Sequence, residues 1–121
     1  MSDEVFSVDA YRKAFGQSKY KAKPTTVDGI QFASKMEARR YNELKLMERA
    51  GEIRDLQLQR RWPIVVNGVK VCVYVSDFEY IETMTGERVT EDVKGYRTHV
   101  FAIKKQLMKA VYGITIKETS A

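Results

Sequence analysis

The segment from Val69 to Gly95, VKVCVYVSDFEYIETMTGERVTEDVKG, constrains the fold more than any other stretch of the chain. Two runs of alternating apolar and polar residues flank the turn Thr83-Met84-Thr85-Gly86, a β-hairpin signature. A tight turn centred between Met84 and Thr85 sets Asp77 directly across from Asp92, with β-carbons roughly 5 Å apart. Lys94 shares their face, because side chains two apart on a strand point the same way. Upstream, Asn67-Gly68 is the strongest short hairpin turn signal present. It pairs Val66 with Val69, Ile64 with Val71 and Trp62 with Val73, all on the face of Asp77. Ile53 to Val66 reads as one long or interrupted strand region, and Pro63 argues for an edge or a bend within it. Three strands then form an antiparallel meander.

Helices are expected on either side of this meander. Ser34-Lys35-Met36-Glu37 fits a capping box and opens a helix that Gly51 can stop. Glu37, Tyr41, Leu44 and Glu48 share one stripe of it, and the two apolar members mark the stripe as inward-facing. Thr98 can cap a second helix through Tyr112, with Val100, Ile103, Leu107 and Val111 as its buried stripe and Gly113 as its end. Ile114 to Glu118 alternates as a last short strand. Before the core, Ser7 to Gly16 reads as a short helix, Gln17 to Pro24 as a basic linker, and Asp28-Gly29 as a turn. The expected organisation is an N-terminal helix and basic arm over residues 1–24 and a core domain over 25–121. The fold class is α+β, an α/β sandwich whose mixed sheet is flanked by a helix on each face.

Composition narrows the chemistry. Cys72 is the only cysteine, so neither an internal disulfide nor a cysteine zinc site is expected. The N-terminus MSDEVFSVDA lacks the charged and apolar regions of a signal peptide, and no window is apolar enough to span a bilayer. A soluble protein of a reducing compartment, the cytoplasm, is the expectation. The net charge of +5 suits a polyanionic partner without requiring one. Basic residues cluster at Lys19, Lys21 and Lys23, and pair at Arg39-Arg40, Arg60-Arg61 and Lys104-Lys105; a solvated face is the plain reading of each.

Two carboxylates facing each other on a strand pair destabilise it unless a cation intervenes. Mg²⁺, a hard ion that prefers oxygen ligands, resolves the conflict between Asp77 and Asp92. Glu37 has a sufficient task as the third residue of a capping box, yet its inward stripe makes it an equal candidate for a third metal ligand. A metal held by such acids lowers the pKa of bound water and polarises a phosphoryl oxygen, as phosphodiester hydrolysis requires. Lys94 would stay protonated among acids and stabilise developing charge. Glu79 shares the face of Asp77 and is a weaker candidate, whereas Glu91 should point the other way and be structural. His99, the only histidine, reads as a surface or capping residue, and there is no phosphate-binding glycine loop, nucleophile elbow or HExxH.

The order of elements and the residues Glu37, Asp77 and Asp92-Val93-Lys94 resemble the PD-(D/E)XK nuclease superfamily. The segments KYKAKPTTVDGIQFASKMEARRYNELKLMERAGEI and EDVKGYRTHVFAIKKQLMKAVYGI are similar to its small phage and prophage Holliday-junction-resolvase-like proteins. The resemblance spans Lys19 to Glu118. It implies an αβββαβ restriction-endonuclease-like core and Mg²⁺-dependent cleavage of DNA, with Mn²⁺ as a substitute. Asp77 would be the acid of the first motif, with Ser76 where the superfamily name has proline; Asp92 and Lys94 would be the (D/E)xK pair, and Glu37 the helix glutamate. Lys104 and Lys105 are both candidates for a further active-site group from the second helix. Branched DNA is the implied substrate, in phage replication or recombination, and a homodimer the implied assembly. Lys19, Lys21, Lys23, Arg39, Arg40, Arg97, Lys104 and Lys105 are the candidate DNA backbone contacts, which position without reading sequence. Two rival expectations are a DNA-binding recombination accessory without cleavage and a phage protein that binds a host protein.

Overall fold

The computed structural model describes residues 24–120 of the chain, so the expected Ser7–Gly16 helix and Lys19, Lys21 and Lys23 lie outside the described residues. A hairpin of β1 (Thr25–Val27) and β2 (Ile30–Phe32) comes first. Its turn, Asp28-Gly29, takes positive φ at both positions, which matches the twist of the flanking strands. Helix α1 (Lys35–Arg49) follows, with Ser34 as N-cap accepting the Glu37 N–H at 3.2 Å. Ala38, Tyr41 and Leu44 form its buried stripe.

Next come β3 (Ile53–Leu58), β4 (Arg61–Val66), β5 (Val69–Val75), β6 (Phe78–Glu82) and β7 (Arg88–Val93). The Ile53–Val66 region is interrupted rather than continuous. Asp55 bulges from β3 at φ 55°, and Gln59 breaks the strand at φ 52°. The partner run breaks at Ser76-Asp77, yet pairing continues across both breaks: Gln59 N–H donates to Asp77 O at 3.2 Å and Ser76 N–H to Arg60 O at 3.0 Å. β3–β6 and β4–β5 are thus two halves of one bent ribbon.

Val66 does pair with Val69, but the expected register beyond it is displaced. A bulge between Ile64 and Val65 pairs Ile64 with Cys72 and Trp62 with Tyr74. One extra residue on β5 is enough to exchange the two faces.

The Thr83–Gly86 turn behaves as its centring requires. Phe78 pairs with Glu91 and Ile81 with Arg88, so Asp77, just before β6, stands across from Asp92. Helix α2 (His99–Tyr112) is capped by Thr98 and ends at Gly113, whose φ of 71° suits a residue without a β-carbon. β8 (Lys117–Thr119) then pairs parallel to β7, completing a mixed sheet of order β3-β6-β7-β8.

Two apolar clusters hold this α+β arrangement. Phe32, Tyr41, Leu44, Ile53, Phe78, Tyr80 and Val93 seat α1 and the first hairpin on the sheet. Ile64, Cys72, Tyr74, Phe101, Met108 and Ile116 seat α2 on the β4–β5 ribbon. The buried stripe of α2 differs from the expected one: Phe101 and Met108 are buried, while Ile103 is 57% and Val111 37% exposed. Apolar residues cover more than half of the circumference of this helix, so periodicity alone does not choose the inward face. Among the described residues no helix is long and apolar enough to cross a membrane.

Candidate active site

Successive residues of β7 serve opposite sides of the sheet. Glu91 faces α1, where Arg40 Nε and Nη2 donate to its two oxygens at 2.7 and 3.0 Å and Tyr80 adds a bond at 2.7 Å. Burial pushes this carboxyl up, but the Arg40 and Tyr80 hydrogen bonds outweigh it and hold Glu91 below the ordinary range. Asp92 faces the other way, toward the cluster beneath α2. Tyr74 Oη donates to its Oδ2 at 2.6 Å, and Lys94 Nζ lies 2.9 Å from its Oδ1.

Asp77 sits at the break between β5 and β6, where its Oδ2 accepts the Val93 N–H at 2.7 Å. Burial pushes its carboxyl well above the ordinary range; the charges of Asp92 and Glu37 push it further, against the Val93 N–H and Lys94. Glu37, from the first turn of α1, is therefore close enough to be felt by Asp77. Three carboxylates and one ammonium from α1, the β5–β6 break and the end of β7 share one electrostatic neighbourhood. Lys94 also packs over the Phe101 ring at 4.0 Å, which ties it to α2.

Every acid here offers hard oxygen donors, and their mutual repulsion is what a divalent cation relieves, so the donor set fits Mg²⁺ by its chemistry. Among the described residues, however, no three acid, histidine or cysteine side chains are gathered as a ready-made metal site. Asp92 is engaged on both oxygens, by Tyr74 and by Lys94.

The remaining sequence candidates separate clearly. Lys104 Nζ donates to Val73 O at 2.9 Å, and burial, followed by the nearby charge of Lys94, holds its pKa down. Lys105 is ion-paired to Glu118. Lys104 is therefore turned inward, against β5 and toward Lys94, whereas Lys105 is held by Glu118. Arg39 is exposed on α1 and Arg97 is exposed beyond β7. Arg40 needs correcting as a DNA contact: its guanidinium is spent on buried Glu91. Glu79 is likewise no candidate ligand, because Trp62 Nε1, Ser76 Oγ at 3.1 Å and Arg60 Nη1 at 3.2 Å all donate to it. Cys72 is buried, which pushes its thiol up and suits a packing role.

Tyr74 is the participant that sequence reasoning missed. Strict alternation puts Tyr74 and Asp77 on opposite faces. The strand break at Ser76-Asp77 cancels that alternation, and nothing in the local pattern of the run announces the break.

The chain belongs to the family described as "Protein of unknown function (DUF1064)", whose profile matches residues 17–119. No curated protein and no solved structure matches it.

Proposed function

We propose that this protein is a metal-dependent endodeoxyribonuclease of the PD-(D/E)XK type, acting on branched DNA in phage replication or recombination within the host cytoplasm. One observation carries the reading: Asp77 and Asp92 oppose each other across the β6–β7 hairpin, with Glu37 in charge range and Lys94 at 2.9 Å from Asp92. The chain order of α1, the three-stranded meander, α2 and parallel β8 supports the αβββαβ core of that superfamily.

Glu37, Asp77 and Asp92 would hold Mg²⁺, or Mn²⁺ in its place. Bound there, the ion would supply an activated water and charge neutralisation at the phosphate. Tyr74 keeps the Asp92 carboxylate in one orientation. Lys94, freed from Asp92 Oδ1 when a cation competes for that oxygen, is positioned to stabilise negative charge on the phosphate. Lys104 adds positive potential behind it. Arg39, Arg97 and Lys105, with Lys19, Lys21 and Lys23 of the arm, would contact the DNA backbone, and affinity should then fall steeply with salt. A homodimer, which would present two such sites to opposed strands, is the assembly that goes with a four-way junction.

Labelled junction, flap and linear duplex DNA, incubated with Mg²⁺ or with EDTA, test the reading. Mg²⁺-dependent cutting that Asp77→Asn abolishes while binding persists is the expected result. Binding without cutting in Mg²⁺ or Mn²⁺ would instead favour a recombination accessory, a reading that the full engagement of Asp92 by Tyr74 and Lys94 supports. Sedimentation of the protein as a monomer, with and without junction DNA, would remove the homodimer.

A further inference from the structure

Glu79 is completely buried, and side chains from three places in the chain donate to it. Arg60 Nη1 reaches its Oε1 at 3.2 Å; Trp62 Nε1 and, at 3.1 Å, Ser76 Oγ reach its Oε2. Arg88 Nη1 lies farther off, 3.8 Å from Oε1. The Arg60 guanidinium stacks over the Trp62 ring at 4.2 Å, and the Tyr112 ring of α2 packs on the same indole with centroids 5.0 Å apart. A carboxylate without water is costly to bury unless donors of this kind meet it, so removing Glu79 from the group, or the group from Glu79, is opposed by the whole network.

The donors stand at the two strand breaks. Arg60 follows Gln59, where the first run breaks, and Trp62 lies two residues further along in β4. Ser76 precedes Asp77, at the break of the second run. Its N–H donates to Arg60 O at 3.0 Å, and its hydroxyl lies 3.4 Å from the same carbonyl. Glu79 itself is on β6, beyond the second break. One carboxylate thus ties β4 and the Ser76 end of β5 to β6, where the ribbon bends. That bend lets Tyr74 and Asp77 serve one site, with Asp77 Oδ2 on the Val93 N–H at 2.7 Å.

We infer that Glu79 is a positioning residue: its buried carboxylate clasps the break, and the clasped break aims the Asp77 carboxylate at the Val93 N–H and toward Asp92. What Asp77 then does rests on the nuclease reading, whereas the positioning itself needs no metal. Glu79 acts through Ser76 and the backbone, so its role is separate from that of the ligand set. The Val93 amide reports the aim, because its acceptor is the Asp77 side chain. Trp62, the only tryptophan of the chain, reports the clasp.

Amide hydrogen exchange of the full-length protein in EDTA, followed residue by residue by NMR, tests the inference. Glu79→Leu removes the acceptor without leaving a charge in the interior, and Ser76→Ala removes a single donor. The Val93 amide should exchange about ten-fold faster in Glu79→Leu, the order expected for a lost hydrogen bond to a carboxylate, and faster by a smaller factor in Ser76→Ala. The Val89 amide of the same strand and the Leu44 amide of α1 should keep the parent rate. Glu79→Gln still offers an oxygen to Trp62 and Ser76, so it should restore both the Val93 rate and the parent Trp62 indole N–H resonance. An equal acceleration at Val93, Val89 and Leu44, or an unchanged Val93 rate in Glu79→Leu and Ser76→Ala, overturns the inference. Initial rates on junction DNA in Mg²⁺ separate it from the nuclease reading. Glu79→Leu should lower kcat about a hundred-fold at an unchanged KM, the order that a misplacement of about 1 Å costs. Cutting by Glu79→Leu at the parent kcat defeats the inference and leaves the nuclease reading standing. A parent protein that cuts no DNA, with the selective Val93 effect present, defeats the nuclease reading and leaves Glu79 as the clasp of Asp77.

Discussion

Tyr74 Oη donates to Asp92 Oδ2 at 2.6 Å across the break between two strands, so a buried phenol orients a buried carboxylate. Burial first, then the charge of Asp92, pushes the phenol far above its ordinary range, so it remains a donor at any working pH. Tyr74→Phe keeps the ring in the α2 cluster and removes only the hydroxyl. A hydrogen bond to a charged group contributes about 1.5–3 kcal/mol. The unfolding free energy should fall by that amount, read as a lower urea midpoint at an unchanged slope, and an unmoved midpoint would show that the bond contributes nothing.

Arg40 and Glu91 make the second test. Arg40→Ala leaves a buried carboxylate without its cation, which should cost about 3–5 kcal/mol. The double variant Arg40→Met with Glu91→Leu should recover most of the loss, because the stranded charge is gone. DNA affinity and its salt slope should be untouched in the double variant. A shallower slope there, measured by fluorescence anisotropy, would return Arg40 to the DNA-contacting set.

The pH dependence of stability follows from Asp77. Its carboxyl is raised above the ordinary value of 3.8 in the folded protein, by burial and then by Asp92 and Glu37. Below 3.8 the group is protonated in both folded and unfolded chains and opposes nothing. As pH climbs, the unfolded chain ionises first, and stability is lost until the folded carboxyl has ionised too. Asp77→Asn keeps an oxygen for the Val93 N–H and removes the charge. In EDTA it should melt higher than the parent protein at pH 7–8, with the gain shrinking to nothing in acid. Parallel melting curves at every pH would contradict this.

Mg²⁺ should act in the opposite sense to that repulsion. A ligand that binds only the folded chain, at a hundred times its Kd, stabilises by about 2.7 kcal/mol. Thermal melting of the parent protein should therefore shift upward with Mg²⁺ at neutral pH and lose the shift in EDTA. Asp92→Asn should abolish most of the response. A response that survives in both Asp77→Asn and Asp92→Asn would place the ion elsewhere.

Much of the carboxylate geometry was legible before any coordinates. The Thr83–Gly86 turn sets a hairpin register, and register alone puts Asp77 across from Asp92, because a strand pair has a strict period of two. The Ser34 cap was legible for a similar local reason, since its bond reaches only three residues along the chain. The β4–β5 register was misread at one bulge, and the α2 stripe at a helix that is apolar on too many sides.

Local pattern thus determined the two helices and their caps, the hairpin turns and the opposed acids, all of which follow from interactions between near neighbours in the chain, but not the break that divides β5 from β6. Tertiary structure decided which charges are occupied. It gave Arg40 to Glu91, Trp62 and Arg60 to Glu79, Lys105 to Glu118, and Tyr74 to Asp92. Burying a charge is costly unless a partner meets it, and such partners come from distant elements that only packing brings together.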